Sequence, residues 1–177
     1  MNNLFTITLI NYLIIYYMNN LFNLNNLNNL LYAVGYFGDT ISFFIICMLI
    51  FNNFKFFIFY VICFIINMYF NNYLTNLIKQ KNPSHPIKFL ESETYSKKRY
   101  GMPSFHSQNM FFSIGYAFFI LNNFIWKLIL LLIGFAVIYE RYVFRDHTME
   151  QLLYGAILGL IIGYIFYLIV KMIKYKF

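Results

Sequence analysis

The sequence is poor in charged residues. Only 11% of its 177 residues are Asp, Glu, Lys or Arg, whereas about 25% is usual in a soluble domain. This scarcity excludes an ordinary soluble globular protein. Hydrophobic residues make up 61% of the chain and aromatic residues 23%, which indicates a protein of the lipid bilayer. The length suits one compact bundle and is too short for two domains.

Cysteine and acidic residues are scarce as well. Cys47 and Cys63 both lie inside apolar runs, where a thiol behaves as a small hydrophobic group. No CxxC pair or Cys/His ligand spacing is present, so neither a disulfide framework nor a zinc site is predicted from the cysteines. The 6 acidic residues face 13 basic ones, for a net charge of +7. Because the basic residues cluster at the ends of apolar runs, we expect anionic lipid headgroups or phosphate as partners and no nucleic acid.

Apolar runs divide the rest of the chain into about six candidate membrane spans. They cover residues 4–18, 31–51, 54–78, 104–121, 124–139 and 147–170. Five are clear, and the first is shorter than the ~20 residues that a spanning helix needs. Since no stretch alternates with a period of two, the sequence predicts an all-α fold, a polytopic membrane helix bundle of about six transmembrane helices.

Residues 1–30 form an apolar, Asn-rich N-terminal segment, and residues 31–177 form the predicted membrane domain. The N-terminal segment is either a tilted first transmembrane helix or an interfacial segment. No Lys or Arg precedes its apolar run and no small-residue cleavage site follows it, so we do not expect a cleaved signal peptide. In the next run, Asp39 is costly unless it lies at the level of the lipid headgroups or is paired.

Two polar stretches interrupt the apolar pattern, each at the start of a predicted helix. The first, Tyr100–Gln108, reads YGMPSFHSQ, and the second, Arg141–Gln151, reads RYVFRDHTMEQ. A long polar loop, residues 79–102, leads into the first, and loops of this length are often functional. Antiparallel helices joined by short turns place both stretches and Lys79 on one face of the membrane. The sequence therefore predicts a single polar site on that face.

The residues in these stretches suit phosphate chemistry. Ser104 and His106 lie at a helix start, where free backbone N–H groups favour an anion. The Arg141 guanidinium matches phosphate oxygens, and His147 adds a second imidazole that titrates near neutral pH. Gln151 lies one turn after His147, where it either orients that imidazole or caps its own helix.

The order of these residues resembles the three-part signature of the type 2 phosphatidic-acid phosphatase superfamily. The parts are Lys79, then Pro-Ser-x-His at 103–106, then Arg-x5-His at 141–147. The wider stretches YGMPSFHSQ and HTMEQLLYG are more similar still to the dolichyl-diphosphatases of that superfamily. The resemblance runs from about Gly38 to Gly163. Its second and third parts are specific, and its first part is weak.

The resemblance implies a lipid phosphatase that needs no metal ion or other cofactor. It implies that His147 is the nucleophile, which forms a phosphohistidine, and that His106 protonates the leaving phosphate or alcohol and later activates water. Ser104, Arg141 and Lys79 would hold the phosphoryl oxygens. The implied substrate is a polyprenyl diphosphate lipid such as dolichyl diphosphate, cleaved to the monophosphate. The implied location is the endoplasmic-reticulum membrane, with a lumenal active site.

Three departures from the family pattern affect this interpretation. The first part of the signature normally ends Arg-Pro, but here His85 precedes the proline, so one phosphate-binding cation is either missing or supplied by His85, Lys81 or Arg99. Glu140 stands where Ser is usual, and it turns away, pairs with Arg145 or weakens phosphate binding. Gln151 replaces the usual Asp, which agrees with the dolichyl-diphosphatase pattern.

Other hypotheses remain open at this stage. The superfamily also allows phosphatidate, sphingoid phosphates or other isoprenoid phosphates as substrates. A catalytically silent scaffold that binds phospholipid headgroups is compatible with the missing arginine and with Glu140. A zinc site formed by His85, His106 and His147 is a further alternative, which the nearby cations disfavour.

The last predicted helix and the basic residues give two further expectations. Glycine recurs every four residues at Gly155, Gly159 and Gly163, which predicts a stripe that lets this helix approach a neighbour closely. The basic tail and the Lys-containing turns favour a cytoplasmic side opposite the polar stretches, although the face with those stretches holds more basic residues. The sequence does not determine the oligomeric state.

Overall fold

The computed structural model of the protein describes residues 27–84, 86–87 and 100–176. Five helices account for most of them: α1, Leu27–Ile50; α2, Phe54–Ile78; α3, Phe105–Ala117; α4, Phe124–Val143; and α5, Met149–Lys176. The described residues contain no β-strand beyond an isolated antiparallel bridge between Lys81 and Tyr100. The predicted all-α fold is confirmed.

Three of the described helices are long and apolar enough to cross a membrane: Leu30–Ile50, Phe54–Ile78 and Met149–Ile173. They coincide with three of the predicted spans, so the protein is a helical membrane protein. The first predicted span, residues 4–18, lies outside the described residues. The count of six transmembrane helices therefore stays a prediction, as does the division into segments 1–30 and 31–177.

Helix α3 is shorter than the sequence pattern predicts. The apolar run covers residues 104–121, but the helix ends at Ala117 after 13 residues, about 20 Å at 1.5 Å per residue. That length is shorter than a hydrocarbon core of about 30 Å. Every residue from Ser107 to Ala117 is buried, and α3 contacts each of the other four helices. It lies at the centre of the bundle, surrounded by protein.

Helix α5 packs most extensively against α3, through the predicted glycine stripe. A Cβ atom at Gly155 would lie 2.8 Å from the carbonyl oxygen of Ser104, and one at Gly159 or Gly163 would collide with a carbonyl oxygen of α3. Only glycine allows two helix backbones to come this close. The stripe is confirmed, and it places the start of α5 beside Ser104.

A ladder of buried amide side chains joins α2 to α3. Asn71 donates to Gln108, Gln108 donates to Asn67, and Asn67 donates to Asn109, each at 2.8 Å. The Asn71 amide also donates to the carbonyl oxygen of Pro103 at 3.1 Å. Hydrogen bonds of this kind hold helices together where water is absent. The ladder fixes the residues that lead into α3 against α2.

The outer faces of the surrounding helices are apolar. Phe44, Tyr69, Phe124 and Phe135 are between 63% and 74% exposed. Large apolar side chains exposed in such number are the expected lipid-facing surface of a membrane bundle. The buried polar groups are concentrated around α3 and at the end of the bundle where α3 and α5 begin.

Candidate active site

The turn between α4 and α5 brings Arg141 and His147 together. The carbonyl oxygen of Arg141 accepts hydrogen bonds from the N–H groups of Asp146 at 3.0 Å and of His147 at 3.3 Å. Arg145 reverses the chain direction with a φ of 58° in the left-handed region. The spacing between Arg141 and His147 is thus the length of a closed turn, which holds both residues at one end of the bundle.

Gln151 is fully buried and connects the segments around His147. Its Oε1 accepts from Nδ1 of His147 at 3.2 Å and from the N–H of Thr148 at 3.0 Å. Its Nε2 donates to the carbonyl oxygen of Lys81 at 3.0 Å, and its own carbonyl accepts from the N–H of Ser104 at 3.1 Å. The sequence left an orienting contact and a helix cap as alternatives, and both contacts are present.

These contacts determine which nitrogen of His147 carries the proton. The partners Thr148 N–H and Lys81 C=O fix which end of the Gln151 amide is the oxygen. Because that oxygen only accepts, Nδ1 of His147 is the donor and Nε2 keeps a free lone pair. The backbone of Gly101 also hydrogen-bonds to the imidazole.

The surroundings of His147 keep it uncharged. Burial, reinforced by the positive charges of His106 and Arg141, lowers the pKa of His147 to about 4. A neutral imidazole with a free lone pair is the form that a nucleophile requires. His106 and Arg141 are therefore close enough to His147 for their charges to affect its ionisation.

The Ser104 hydroxyl is buried without a hydrogen-bond partner in the described part of the chain. Ser104 is the N-cap residue of α3, but its side chain does not cap the helix. A buried hydroxyl without a partner costs about 1–3 kcal/mol. A phosphate oxygen next to it would offset that cost, so the chemistry of this position suits an anionic ligand.

His106 pairs with a carboxylate from α1. Its Nδ1 lies 2.9 Å from Oδ2 of Asp39. The Asp39 side chain is 8% exposed and that of His106 is 35% exposed. One edge of the imidazole is therefore held inside the bundle while the rest of the ring remains accessible. Of the two alternatives that the sequence left for Asp39, the structure shows the paired one.

The Arg141 guanidinium is held by neighbouring residues. Nη1 donates to Asp146 at 2.7 Å and Nη2 to the carbonyl oxygen of Tyr36 at 3.2 Å, while Nε lies 3.1 Å from Oε2 of Glu140. Glu140 therefore pairs with Arg141, a partner that the sequence did not indicate. Because a guanidinium has five N–H donors, these contacts still leave donors for a phosphate.

Comparison with known proteins places this site in a family. The chain matches the PAP2 superfamily over residues 56–175. It belongs to this superfamily of phosphatases. A relative from Saccharomyces cerevisiae, Dolichyldiphosphatase, is 32% identical over 120 residues, which cover 62% of this chain and 50% of the relative. The chain thus spans about half the length of that relative. No solved structure matches it.

In this PAP2 member the structure brings most of the predicted site residues to one end of the bundle. His147, Gln151 and Ser104 are joined by hydrogen bonds, and the charges of His106 and Arg141 act on His147. Whether these residues react or bind phosphate stays a prediction.

The first part of the signature, Lys79 with the nearby candidate cations, is less closely joined to the rest of the predicted site. Lys79 ends α2 in the left-handed region with a φ of 55°, at the same end of the bundle, and its side chain is exposed. His85 and Arg99 lie outside the described residues. Lys81 is also exposed and contributes its carbonyl oxygen to Gln151. The predicted phosphate ligands His85 and Lys79 therefore stay predictions.

The zinc alternative finds no support in the described part of the PAP2 domain. No group of three or more His, Cys, Asp or Glu side chains within it is arranged to hold a metal ion. His106 instead uses its Nδ1 for Asp39, and His147 uses its Nδ1 for Gln151. The remaining histidine of that hypothesis, His85, lies outside the described residues.

Sequence reasoning did not identify two residues that contact the candidate catalytic histidines. Asp39 could have been found, because an acidic residue inside an apolar run signals a paired or functional group. Gly101 carried no signal apart from its place in the first polar stretch. A Cβ there would collide with the side chain of Asn82 and lie 2.9 Å from Nδ1 of His147, so both side chains would have to move to admit a larger residue.

Proposed function

We propose that the protein is an integral-membrane lipid phosphatase that hydrolyses a polyprenyl diphosphate, such as dolichyl diphosphate, to the monophosphate and phosphate. The observation that carries the proposal is the neutral, oriented His147 beside His106 and Arg141. Membership of the PAP2 superfamily and similarity to the yeast dolichyldiphosphatase support the reaction and the substrate class.

In the first step, Nε2 of His147 attacks the terminal phosphorus atom. A phosphorus–nitrogen bond forms, and the bond from that phosphorus to the bridging oxygen breaks. The polyprenyl monophosphate leaves with a proton donated by His106. Phosphoryl transfer depends mainly on positioning and on stabilisation of charge, which this step assigns to the Ser104 hydroxyl, Arg141 and Lys79. His85 is the fourth proposed phosphate ligand.

In the second step, water attacks the phosphorus of the phosphohistidine. His106, now neutral, takes a proton from that water, and the phosphorus–nitrogen bond breaks. Inorganic phosphate leaves and His147 returns to its neutral form. The covalent intermediate divides one difficult hydrolysis into two easier steps. The proposal needs no metal ion, because the positive charge comes from side chains.

An apolar groove beside the site favours a lipid substrate over a soluble phosphate ester. It has a volume of about 320 Å³ and lies between α2 and α5, where Leu74, Ile78 and Ile157 line it with Met102 and Pro103. Met102 and Pro103 directly precede Ser104. A substrate whose phosphate lies at Ser104 would therefore have an apolar surface nearby for the first part of its chain.

The proposal also includes a location, the endoplasmic-reticulum membrane, with the site at the lumenal face. The similarity to dolichyl-diphosphatases supports the membrane. Lys55, Lys127 and Lys171 lie near the opposite end of their helices from the site, as expected for the cytoplasmic face under the positive-inside rule.

The test is phosphate release from dolichyl diphosphate by the detergent-solubilised protein, in EDTA and without added divalent metal. We expect turnover that falls by at least about 10³-fold in His147→Ala. Acid-labile phosphate should be trapped on His147 when the reaction is quenched early. Unchanged release in His147→Ala would contradict the mechanism, and loss of release in EDTA would contradict its independence of metal.

Two arginines provide a matched comparison. Arg141 is buried beside His147, whereas Arg145 is exposed in the same turn. We expect Arg141→Ala to lose most of the activity and Arg145→Ala to retain it.

Phosphatidate and a sphingoid phosphate in place of dolichyl diphosphate test the substrate class. Binding of lipid phosphate without release by the wild type would instead favour the headgroup-binding scaffold.

A further inference from the structure

Asp39 is an acidic residue within the apolar helix α1, and it is buried. A carboxylate in such a position is costly unless its oxygens are paired. Oδ1 accepts from the N–H of Thr40 at 2.9 Å, and Oδ2 lies 2.9 Å from Nδ1 of His106. Both oxygens therefore have a partner, and the orientation of the carboxylate is fixed.

This geometry also fixes the proton on His106. A carboxylate only accepts hydrogen bonds, so Nδ1 of His106 must be the donor, and proton exchange is left to Nε2. The ring of Phe105 meets the imidazole edge-on, with 5.5 Å between centroids. Two neighbours therefore hold the ring, one by charge and one by packing, while part of it remains open.

We propose that Asp39 is the positioning residue of the acid–base histidine, holding His106 with Nε2 directed at the substrate. This inference rests on the proposed function and adds a residue outside the matched family range, which begins at residue 56. Asp39 does not touch the reacting atoms in this scheme. It acts through His106 in both steps.

The two steps define what Asp39 must do. In the first, the proton on Nε2 of His106 passes to the bridging oxygen as the bond to phosphorus breaks, and the imidazole becomes neutral. In the second, Nε2 takes a proton from water as its oxygen bonds to phosphorus. The Nδ1–H bond to Asp39 persists throughout, so the ring is not displaced between steps and its positive charge has a compensating partner.

The substitution Asp39→Asn tests this role because of Thr40. The Thr40 N–H can only donate, so the amide oxygen would face Thr40 and the NH₂ group would face Nδ1 of His106. Two donors cannot hydrogen-bond to each other, so the ring would have to accept at Nδ1 and carry its proton on Nε2. Protonation of the ring would then place two N–H groups against each other. The substitution keeps the volume but reverses the hydrogen bond.

The expected result is a kcat lower by about 10–100-fold in Asp39→Asn, with KM near the wild-type value because the phosphate ligands are untouched. Nitrogen NMR of histidine-labelled protein should show the proton of His106 on Nδ1 in the wild type and on Nε2 in the variant. Ser42→Ala is the matched control. Ser42 is fully buried one turn later on α1, and its hydroxyl has no partner in the described part of the chain.

A substrate with a different leaving group distinguishes a loss of His106 positioning from general damage to the active site. An aryl phosphate made from an acidic phenol releases its phenolate without a proton, so this substrate needs no acid in the first step but still needs His106 as a base in the second. We expect Asp39→Asn to release one equivalent of the phenol at the wild-type rate and then turn over slowly. Slowing of that first turnover to the same extent as with the lipid substrate would overturn the proposal.

A double substitution gives the last control. Asp39→Asn should have no further effect on kcat in a His106→Ala background, because the residue acts through that imidazole. An equal loss in both backgrounds, or an unchanged proton position in Asp39→Asn, would overturn the role of Asp39 alone. Absence of phosphate release from the wild type would overturn the proposed function, and the catalytic part of this inference with it.

Discussion

At the scale of single residues, the surroundings of His147 set the pH range in which it can react. Burial, with the charges of His106 and Arg141, lowers its pKa from 6.5 to about 4. The folded protein therefore binds fewer protons at this residue than the unfolded chain does between those values. Titration of His147 therefore leaves the free energy of unfolding at its full value above pH 6.5 and lowers it as the pH falls from 6.5 towards 4.

Activity should follow the same shift. We expect kcat/KM to have its acid midpoint for His147 near pH 4, because the free imidazole is neutral above about that value. The measurement is the pH dependence of kcat/KM, corrected for the ionisation of the substrate by phosphorus NMR. A corrected midpoint near 6.5 would show that His147 is in ordinary contact with solvent.

Gln151 should contribute separately to orientation and to stability. In Gln151→Met the side chain keeps its length but loses both polar atoms. We expect kcat to fall by about 10–100-fold and the free energy of unfolding by about 1–3 kcal/mol, since the Lys81 carbonyl and Thr148 N–H lose their partner. Steady-state kinetics and thermal unfolding in detergent measure the two effects.

Thr148→Val is the control for that experiment. Within the described residues its hydroxyl accepts only the reciprocal bond from the Gln151 N–H at 3.3 Å, so its removal leaves the contact between Gln151 and His147 in place. We expect a loss of stability of about 0.5–2 kcal/mol with kcat near the wild-type value. A fall in kcat as large as that of Gln151→Met would mean that helix capping alone explains both variants.

The sequence indicated the candidate reacting residues better than their partners. The spacing from Arg141 to His147 is that of one turn, and the pattern around Ser104 and His106 belongs to one helix start, so both are local features. Asp39 and His106 are instead 67 residues apart, and their contact depends on how two helices are rotated. A single sequence does not determine that rotation, so the pairing was left open.

At the scale of the elements, α3 shows that hydropathy alone does not predict the length of a buried helix. Its apolar run predicts a spanning helix over 104–121, yet the helix ends at Ala117 and is surrounded by other helices. Hydropathy does not distinguish an apolar side chain that faces lipid from one that faces protein. The glycine stripe of α5 was the better signal, because a period of four small residues predicts a close neighbour whatever surrounds the rest of the helix.

The contact between α3 and α5 should not tolerate a methyl group. We expect Gly159→Ala to lower the free energy of unfolding by about 1–3 kcal/mol, because the new Cβ would collide with the backbone carbonyl of Gln108. Gly134→Ala is the matched control, since its Cβ would meet only the ends of side chains at 3.1–3.5 Å. Equal thermal unfolding of the two variants in detergent would contradict the close approach of α3 and α5.

At the scale of the whole molecule, the alternation of helices places the polar groups at one end. The site lies where α2 and α4 end and where α3 and α5 begin. That arrangement follows from counting apolar runs and needs no knowledge of side-chain contacts. The number of runs that cross the bilayer is less well predicted, because α3 is central and short and residues 1–26 lie outside the described part.

Labelling of single cysteines should reveal the two faces. We expect Arg145→Cys to react with a membrane-impermeant maleimide from one side of sealed vesicles, and Asn52→Cys and Asn122→Cys from the other. All three positions are exposed, whereas the native Cys63 is buried and Cys47 half-buried, so the wild type serves as the unlabelled control. Reaction of all three from one side would contradict the arrangement of the helices.

The bridge between Lys81 and Tyr100 joins the two ends of the polar loop at its base, and the N–H of Gly101 donates to the carbonyl oxygen of Gln80 at 2.9 Å. The two ends of the loop are thus held together next to Gly101, which contacts His147. The proposed ligand His85 lies between these anchors, and the N–H of Ile87 donates to the carbonyl oxygen of Phe144 at 2.7 Å. The length of the segment beyond Ile87 is therefore uncoupled from the geometry of the site. A reporter domain inserted between residues 88 and 98 should leave phosphate release intact, which makes that part of the loop the natural place to tag the protein.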